Sequence, residues 1–390
     1  TLAVDGTDTV SMGDFTLAVT GLDGTATAFS IGAVTGLSAD GTTELELNFQ
    51  EDDAAIAQQI TVASVILTAD SDTAGVLDIN FADAAGVSGT ATFTGEVDTG
   101  TFGSTLGLID IDMADSSATT PVATIQFGGD VTGTTTLDEG AEDITIILNG
   151  TAAQTYTGTI NSNGGDGEGN LRVTNTTGVT FANAVGKAGS GALGTIDING
   201  ATTFSAASEA GAYTVDADST FTGAVTANTS FAVGTSGTDV TLSAASNTGT
   251  TTLASGTSLT ADAVLTTGDL TNTSGKVYLN VASNVADNII LAGTAELHIG
   301  KAFVTTNNIN TSSTSDGEGN FASTAKIYLP SNLTSGETLK ITDSGAFDEG
   351  DASKTAVTTA AAVNTILQDT ALVDYSASAA SAGATVITIT

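Results

Sequence analysis

Apolar and polar residues alternate in short runs along most of the chain. They include FTLAV at 15–19, ELELNF at Glu44–Phe49, QITVASVIL at 59–67, VLDINF at Val76–Phe81, LIDIDM at Leu108–Met113, ITIIL at 144–148, IDI at 196–198, VYLNV at 277–281 and VITIT at 386–390. A period of two in segments rich in Thr, Val and Ile, bounded by Gly, Asn, Asp and Ser, predicts β-strands joined by turns. Two runs break the rule and predict short helices. One is EDDAAIAQQ at 51–59, whose three leading acids suit the positive end of a helix dipole. The other is 353–367, where Ala356, Val357, Ala360, Val363, Ile366 and Leu367 recur at three- and four-residue spacing behind Asp351 and Ser353 as caps.

From about residue 150 a loose repeat emerges. VTFANAV (179–185), TTFSAAS (202–208), STFTGAV (219–225) and VTLSAAS (240–246) share a polar, Thr, large-apolar, small pattern, anchored on Phe181, Phe204, Phe221 and Leu242. The anchors recur at intervals of roughly 20 residues, close to the unit length of a solenoid, in which one coil cannot bury its apolar face alone and must stack on its neighbours. The expected fold is therefore all-β. A β-sandwich-like N-terminal region (1–150) precedes a parallel β-helix or β-solenoid-like region (151–335), and a closing segment (336–390) carries a short helix and a terminal strand.

Composition narrows the function. The 390 residues include 7 Lys and Arg, 44 Asp and Glu, one His and no Cys, for a formal charge of −37. The missing cysteine removes disulfides, thiolate zinc sites and thiol nucleophiles. Seven bases cannot neutralise a phosphate backbone, so nucleic acid is not an expected partner. No apolar run reaches the ~18–20 residues of a membrane-spanning helix. The bases are Arg172, Lys187, Lys276, Lys301, Lys326, Lys340 and Lys354, so residues 1–171 carry 26 carboxylates and no base. Such a segment must spread its charge over the surface, sit in salt or recruit cations. With the start at Thr1, which lacks a Met or a basic leader, this reads as a processed, extracellular microbial chain.

DGEGNLRVTNTTGVTFANAV (166–185), LGTIDINGATTFSAAS (193–208) and FTGAVT (221–226) resemble the repetitive β-helical passenger regions of autotransporter-type bacterial surface proteins. The wider composition, rich in Thr, Ala, Gly and Ser without Cys, is similar to bacterial S-layer proteins. The pattern match spans mainly 150–300. The resemblance implies a structural or adhesive cell-surface protein; it does not extend to the C-terminal membrane barrel of an autotransporter, which leaves export and anchoring open.

Acidic turns are the candidate ligand sites. DGEGN occurs at Asp166, Glu168 and Asn170 and recurs word for word at Asp316, Glu318 and Asn320. Glycine between oxygen-bearing side chains can aim several oxygens at one hard cation such as Ca2+; a plain strand-joining turn explains the same residues. Further candidates are Asp70 with Asp72, Asp110 with Asp112, and Asp138, Glu139, Glu142 and Asp143. Alternation puts Asp110 and Asp112 on one strand face, opposite Ile109 and Ile111. Each cluster also reads as a solvated acidic face. His298 sits in an alternating strand, where a packing or surface role is the simpler expectation than a catalytic base. Triplets of the form Asn-x-Ser/Thr occur at Asn149, Asn175, Asn228, Asn272, Asn310 and Asn332; in so Thr- and Ser-rich a chain most are expected by chance, and they matter only if the source glycosylates its surface proteins.

The sequence thus points to a non-enzymatic, extracellular, self-assembling structural subunit of an S-layer or surface filament. It is expected to be Ca2+-stabilised, with copies of itself as partners and one or both of the uncharged terminal strands, 1–4 and 384–390, completing a neighbour's sheet. A monomeric β-helical adhesin and a Ca2+-dependent polysaccharide-active enzyme are the alternatives.

Overall fold

A computed structural model describes residues 10–12, 16–20, 28–37, 44–49, 57–68, 74–81, 88–113, 122–139, 143–163, 167–186, 191–281, 283–285, 289–300, 319–321, 326–328, 338–342, 367–368, 375–379 and 384–389. Among the described residues every regular element is a β-strand, and most strands pair in parallel. The chain divides into two compact units, Thr1–Gly211 and Ala212–Thr390.

The first unit is built from parallel ladders in which residues far apart in sequence become neighbours. Glu44–Phe49, Val76–Phe81, Leu108–Met113 and Thr134–Glu139 lie side by side, placing Leu47, Ile79, Ile111 and Leu137 in one column. The first three of these strands alternate half-buried and buried positions, so every second residue enters the core. A second ladder aligns Val62, Phe93, Phe127, Leu148 and Val173. A third aligns Val65, Val97, Val131, Tyr156, Phe181 and Phe204. All of these are buried. Parallel register sets like on like, so aromatic rings stack between tiers: Phe49 on Phe81 at 4.5 Å, Phe93 on Phe127 at 5.3 Å and Phe181 on Phe204 at 4.7 Å between centroids.

The parallel pairing departs from the sandwich-like expectation for residues 1–150. The described strands there join neighbours across long connections, and Asp143–Leu148 pairs directly with Asn170–Val173 across the expected boundary. Alternation marks which residues face inward but not the direction of the neighbouring strand. The column step also shortens along the chain, being longer from Ile79 to Ile111 than from Tyr156 to Phe181, which hides a common period. The helix expected at 51–59 fails at its end, since Ala57–Gln59 opens the 12-residue strand Ala57–Thr68, whose Ile60 and Val62 are buried by alternation; residues 51–56 lie outside the described residues. The second expected helix lies outside them too, except Leu367, which is in the strand Leu367–Gln368.

Tight corners depend on glycine. Gly158 has φ +137°, and a Cβ there would collide with the carbonyl oxygen of Gly133 one tier away. Another corner is held by buried amides. Gln154 donates to the carbonyls of Phe127 (2.9 Å) and Gly129 (2.7 Å), and Asn175 donates to Ala152 O (2.7 Å) and Gln154 Oε1 (2.8 Å). Asn175→Ala removes both of its donated bonds and opens space at a buried corner, where Gln154 Oε1 keeps Gly150 N as its remaining donor, and each lost bond is worth about 0.5–1.5 kcal/mol. The expected loss of unfolding free energy is about 2–3 kcal/mol, and urea titration followed by circular dichroism checks it.

The second unit repeats on a shorter step. Phe221, Leu242, Ala261, Leu279 and Ile299 form a buried column whose members lie closer together in sequence than most of those in the first unit. The anchors read from sequence thus oppose one another in register within each unit, Phe181 with Phe204 and Phe221 with Leu242. Polar side chains share this interior. Thr248, Thr251 and Thr267 form a buried hydroxyl chain, and Asn272 donates to Gly275 O and Glu296 O. Ala384–Ile389 is the central strand of an antiparallel sheet, between Thr338–Thr342 and Tyr375–Ala379. The strand expected to be donated to a neighbour therefore has both edges paired within its own chain, while residues 1–4 lie outside the described residues.

Candidate functional site

The outward face of the first ladder collects carboxylates. Alternation that buries Leu45, Leu47 and Phe49 turns Glu44, Glu46 and Asn48 outward, and the next strands do the same with Asp78 and Asn80, Asp110 and Asp112, and Thr136 and Asp138. Register then sets Glu46 beside Asp78, Asp78 beside Asp110, and Asp112 between Asn80 and Asp138. Neighbouring strands lie about 4.8 Å apart, so the carboxylates form a close row in which no basic residue stands.

Asparagine supplies the hydrogen bonds that bases would otherwise provide. Asn80 Nδ2 donates to Asn48 Oδ1 at 3.2 Å, and Asn48 Nδ2 donates to Glu46 Oε1 at 2.9 Å. The compensation is incomplete, since Asp78 Oδ1 is buried without a hydrogen-bond partner. Burial, then repulsion from Asp110, Asp78 and Asp138, pushes the Asp112 carboxyl up to about 6. Asp110 is raised by burial and by Asp78 and Asp138. Asp78 is raised by burial, opposed by its hydrogen bond with Asn80 and reinforced by Glu44 and Glu46. The face therefore favours protons and cations for one electrostatic reason.

The sequence candidates are distributed unevenly. Asp110, Asp112 and Asp138 come together here, as alternation implied for the first two. Glu44, Glu46 and Asp78 join them without having been singled out. The signal was present in ELELNF, VLDINF and LIDIDM, which align without gaps in the parallel register. Glu139 and Asp143 lie in strands, but their side chains are outside the described residues, as are Asp70, Asp72, Glu142, Asp166, Asp316 and Glu318. In the first DGEGN word Gly167 and Gly169 take φ of +97° and +73°, Ser162 Oγ donates to Glu168 at 3.3 Å, and Thr195 Oγ1 donates to Asn170 Oδ1 at 2.6 Å. Asn170 then opens the strand Asn170–Val173, and Asn320 occupies Gly319–Phe321 beside Ile290, its side chain outside the described residues. Among the described residues no three His, Asp or Glu side chains converge as a metal cage would require. The carboxylate face is an open array.

His298 is a stacking residue. Its ring lies 4.3 Å from both Tyr278 and Tyr328, and Nε2 is 2.9 Å from Glu296 Oε2, which Lys276 also approaches at 3.3 Å. Burial pushes Glu296 up, but the hydrogen bonds from His298 and Lys276 outweigh it and hold the carboxyl below its ordinary value. Arg172 pairs with Asp197 at 3.1 Å. No helix of the described residues is long and apolar enough to cross a membrane. No protein-family model, curated protein or solved structure matches the chain.

Proposed function

We propose that the chain is an extracellular, self-assembling structural protein of a microbial cell surface, a subunit of an S-layer lattice or surface filament. In this reading it folds as a parallel β-solenoid whose carboxylate face gathers Ca2+. The observation that carries the reading is the in-register stacking of the first unit, in which tier after tier contributes the same apolar columns inward and acids outward. A stack of this kind gains stability from neighbouring tiers rather than from one central core, which suits an extended scaffold. Arg172 and the lone histidine are engaged with acids, in Arg172–Asp197 and His298–Glu296, rather than poised beside an open nucleophile.

Calcium in this reading bridges carboxylates of successive tiers and binds weakly, in the millimolar class of extracellular sites. At ten times Kd a native-state ligand contributes about 1.4 kcal/mol. Negative-stain microscopy of the purified chain at millimolar Ca2+ is expected to reveal sheets or fibres that dissolve with chelator, with a melting temperature that falls on chelation. Isolated rods whose stability ignores calcium would overturn the proposal and favour a monomeric adhesin.

A further inference from the structure

Four of the six Asn-x-Ser/Thr triplets lie wholly among the described residues, and the fold sorts them into two kinds. Asn175 is 1% exposed. Its Nδ2 makes the two bonds described above, and its Oδ1 accepts from the backbone N–H groups of Thr177 (2.8 Å) and Gly178 (3.3 Å). Asn272 is 0% exposed, donates to two backbone carbonyls and accepts from Gly275 N at 2.7 Å. These amides hold corners of the interior, and a group attached to either Nδ2 would displace hydrogen bonds there and open the tier.

Asn149 and Asn228 are exposed. Asn149 follows the strand Asp143–Leu148, and its Nδ2 meets Gln126 Oε1 at 3.2 Å on the surface. Asn228 has a more distinctive setting. In Val225–Val233 the register shifts between Ala227, opposite Thr248, and Ser230, opposite Thr250, so Asn228 and Thr229 together face the single residue Gly249. This is a β-bulge. Its partner must be glycine, because a Cβ at 249 would collide with the Thr229 carbonyl oxygen. Bulges re-aim side chains out of the regular pleat, and this one presents the first residue of an intact triplet to solvent.

We propose that Asn228, with Asn149 as a second position, is an acceptor for N-linked glycan, while Asn175 and Asn272 stay unmodified. The inference rests on the surface-protein reading above. The donor is a lipid-linked diphosphate sugar. Asn228 Nδ2 forms a bond to the anomeric carbon, the carbon–oxygen bond to the diphosphate breaks with its electron pair leaving on the lipid diphosphate, and the amide nitrogen loses one proton. A neutral, hydrated chain at this bulge would mark a face that meets water rather than a neighbouring copy.

Glycopeptide mapping of protein recovered from the outside of its producing cell tests this. Glycan is expected on Asn228 and Asn149, with Asn175 and Asn272 bare. Ser230→Ala, which removes the hydroxyl that the triplet needs but keeps the acceptor, is expected to cut occupancy at Asn228 at least tenfold and leave Asn149 unchanged. Externally recovered protein with a bare Asn228, or with glycan on Asn175 or Asn272, overturns the inference and leaves the surface role standing. Protein found only inside the cell overturns both.

Discussion

Lowering the pH from 7.5 to 5 is expected to raise the melting temperature of this chain by several degrees, the opposite of the acid lability usual in folded proteins. Asp78, Asp110 and Asp112 face one another and Glu44, Glu46 and Asp138 across parallel strands, and their carboxyls are raised above the ordinary value, that of Asp112 to about 6. A raised native pKa means that the folded state binds the proton more tightly than the unfolded chain does. Stability from such a group is complete below the unfolded carboxylate value of about 3.9 and is lost as pH rises through the folded value. The window for Asp112 therefore runs from about pH 4 to 6. After discounting for partial exposure and screening, this group contributes about 1–2 kcal/mol, and Asp78 and Asp110 act in the same direction. For a unit of about 200 residues, each kcal/mol moves the midpoint by about 2–4 °C.

Thermal melts by circular dichroism at pH 7.5, 6 and 5 check this. Asp112→Asn, which keeps shape and removes charge, is expected to raise the midpoint at pH 7.5 and to flatten the pH response. A midpoint that falls steadily on acidification, or a variant that titrates as the parent does, would show that the face carries no net repulsion. Salt provides a separate check, since millimolar Ca2+ or high ionic strength should move the pH 7.5 midpoint the same way.

Phe181→Ala is expected to be the most destabilising single truncation in the first unit, at about 3–5 kcal/mol. The ring is fully buried, lies 4.7 Å from Phe204 and 5.9 Å from Tyr156, and its strand pairs on both sides. Truncation removes both ring contacts and leaves a cavity that two flanking backbones hold open. Because each tier is stabilised by its neighbours, the damage should spread along the ladder rather than stay local. Hydrogen exchange is expected to quicken at Gln154–Thr157 and Thr202–Phe204 as well as at Val179–Phe181. Exchange confined to the mutated strand, or a loss below about 1 kcal/mol, would mean that the column is not cooperative.

Period-two alternation made Asp110, Asp112, Ile109 and Ile111 legible, because side-chain direction in a strand is set by position alone. The anchors Phe181, Phe204, Phe221 and Leu242 were legible for a related reason, since short, regular connections keep their spacing narrow. The carboxylate face was not. Glu46, Asp78 and Asp110 are far apart along the chain, and only parallel register makes them neighbours. EDDAAIAQQ misled at Ala57–Gln59 because local helix signals yielded to burial of Ile60 and Val62 in a long strand. Asn175 and Asn272 look like surface triplets and are interior corner residues. Nothing in so short a pattern reports depth.

Most of the strand content, the inward and outward sets of the alternating strands, and an acidic half without a single base were fixed by the amino-acid order, since these follow from local geometry and from counting charges. Pairing direction, register and the depth of polar groups were decided by the tertiary structure. They depend on which distant segments meet, and the packing of Phe on Phe and the close approach of Gly158 to Gly133 select that meeting only once the chain has folded.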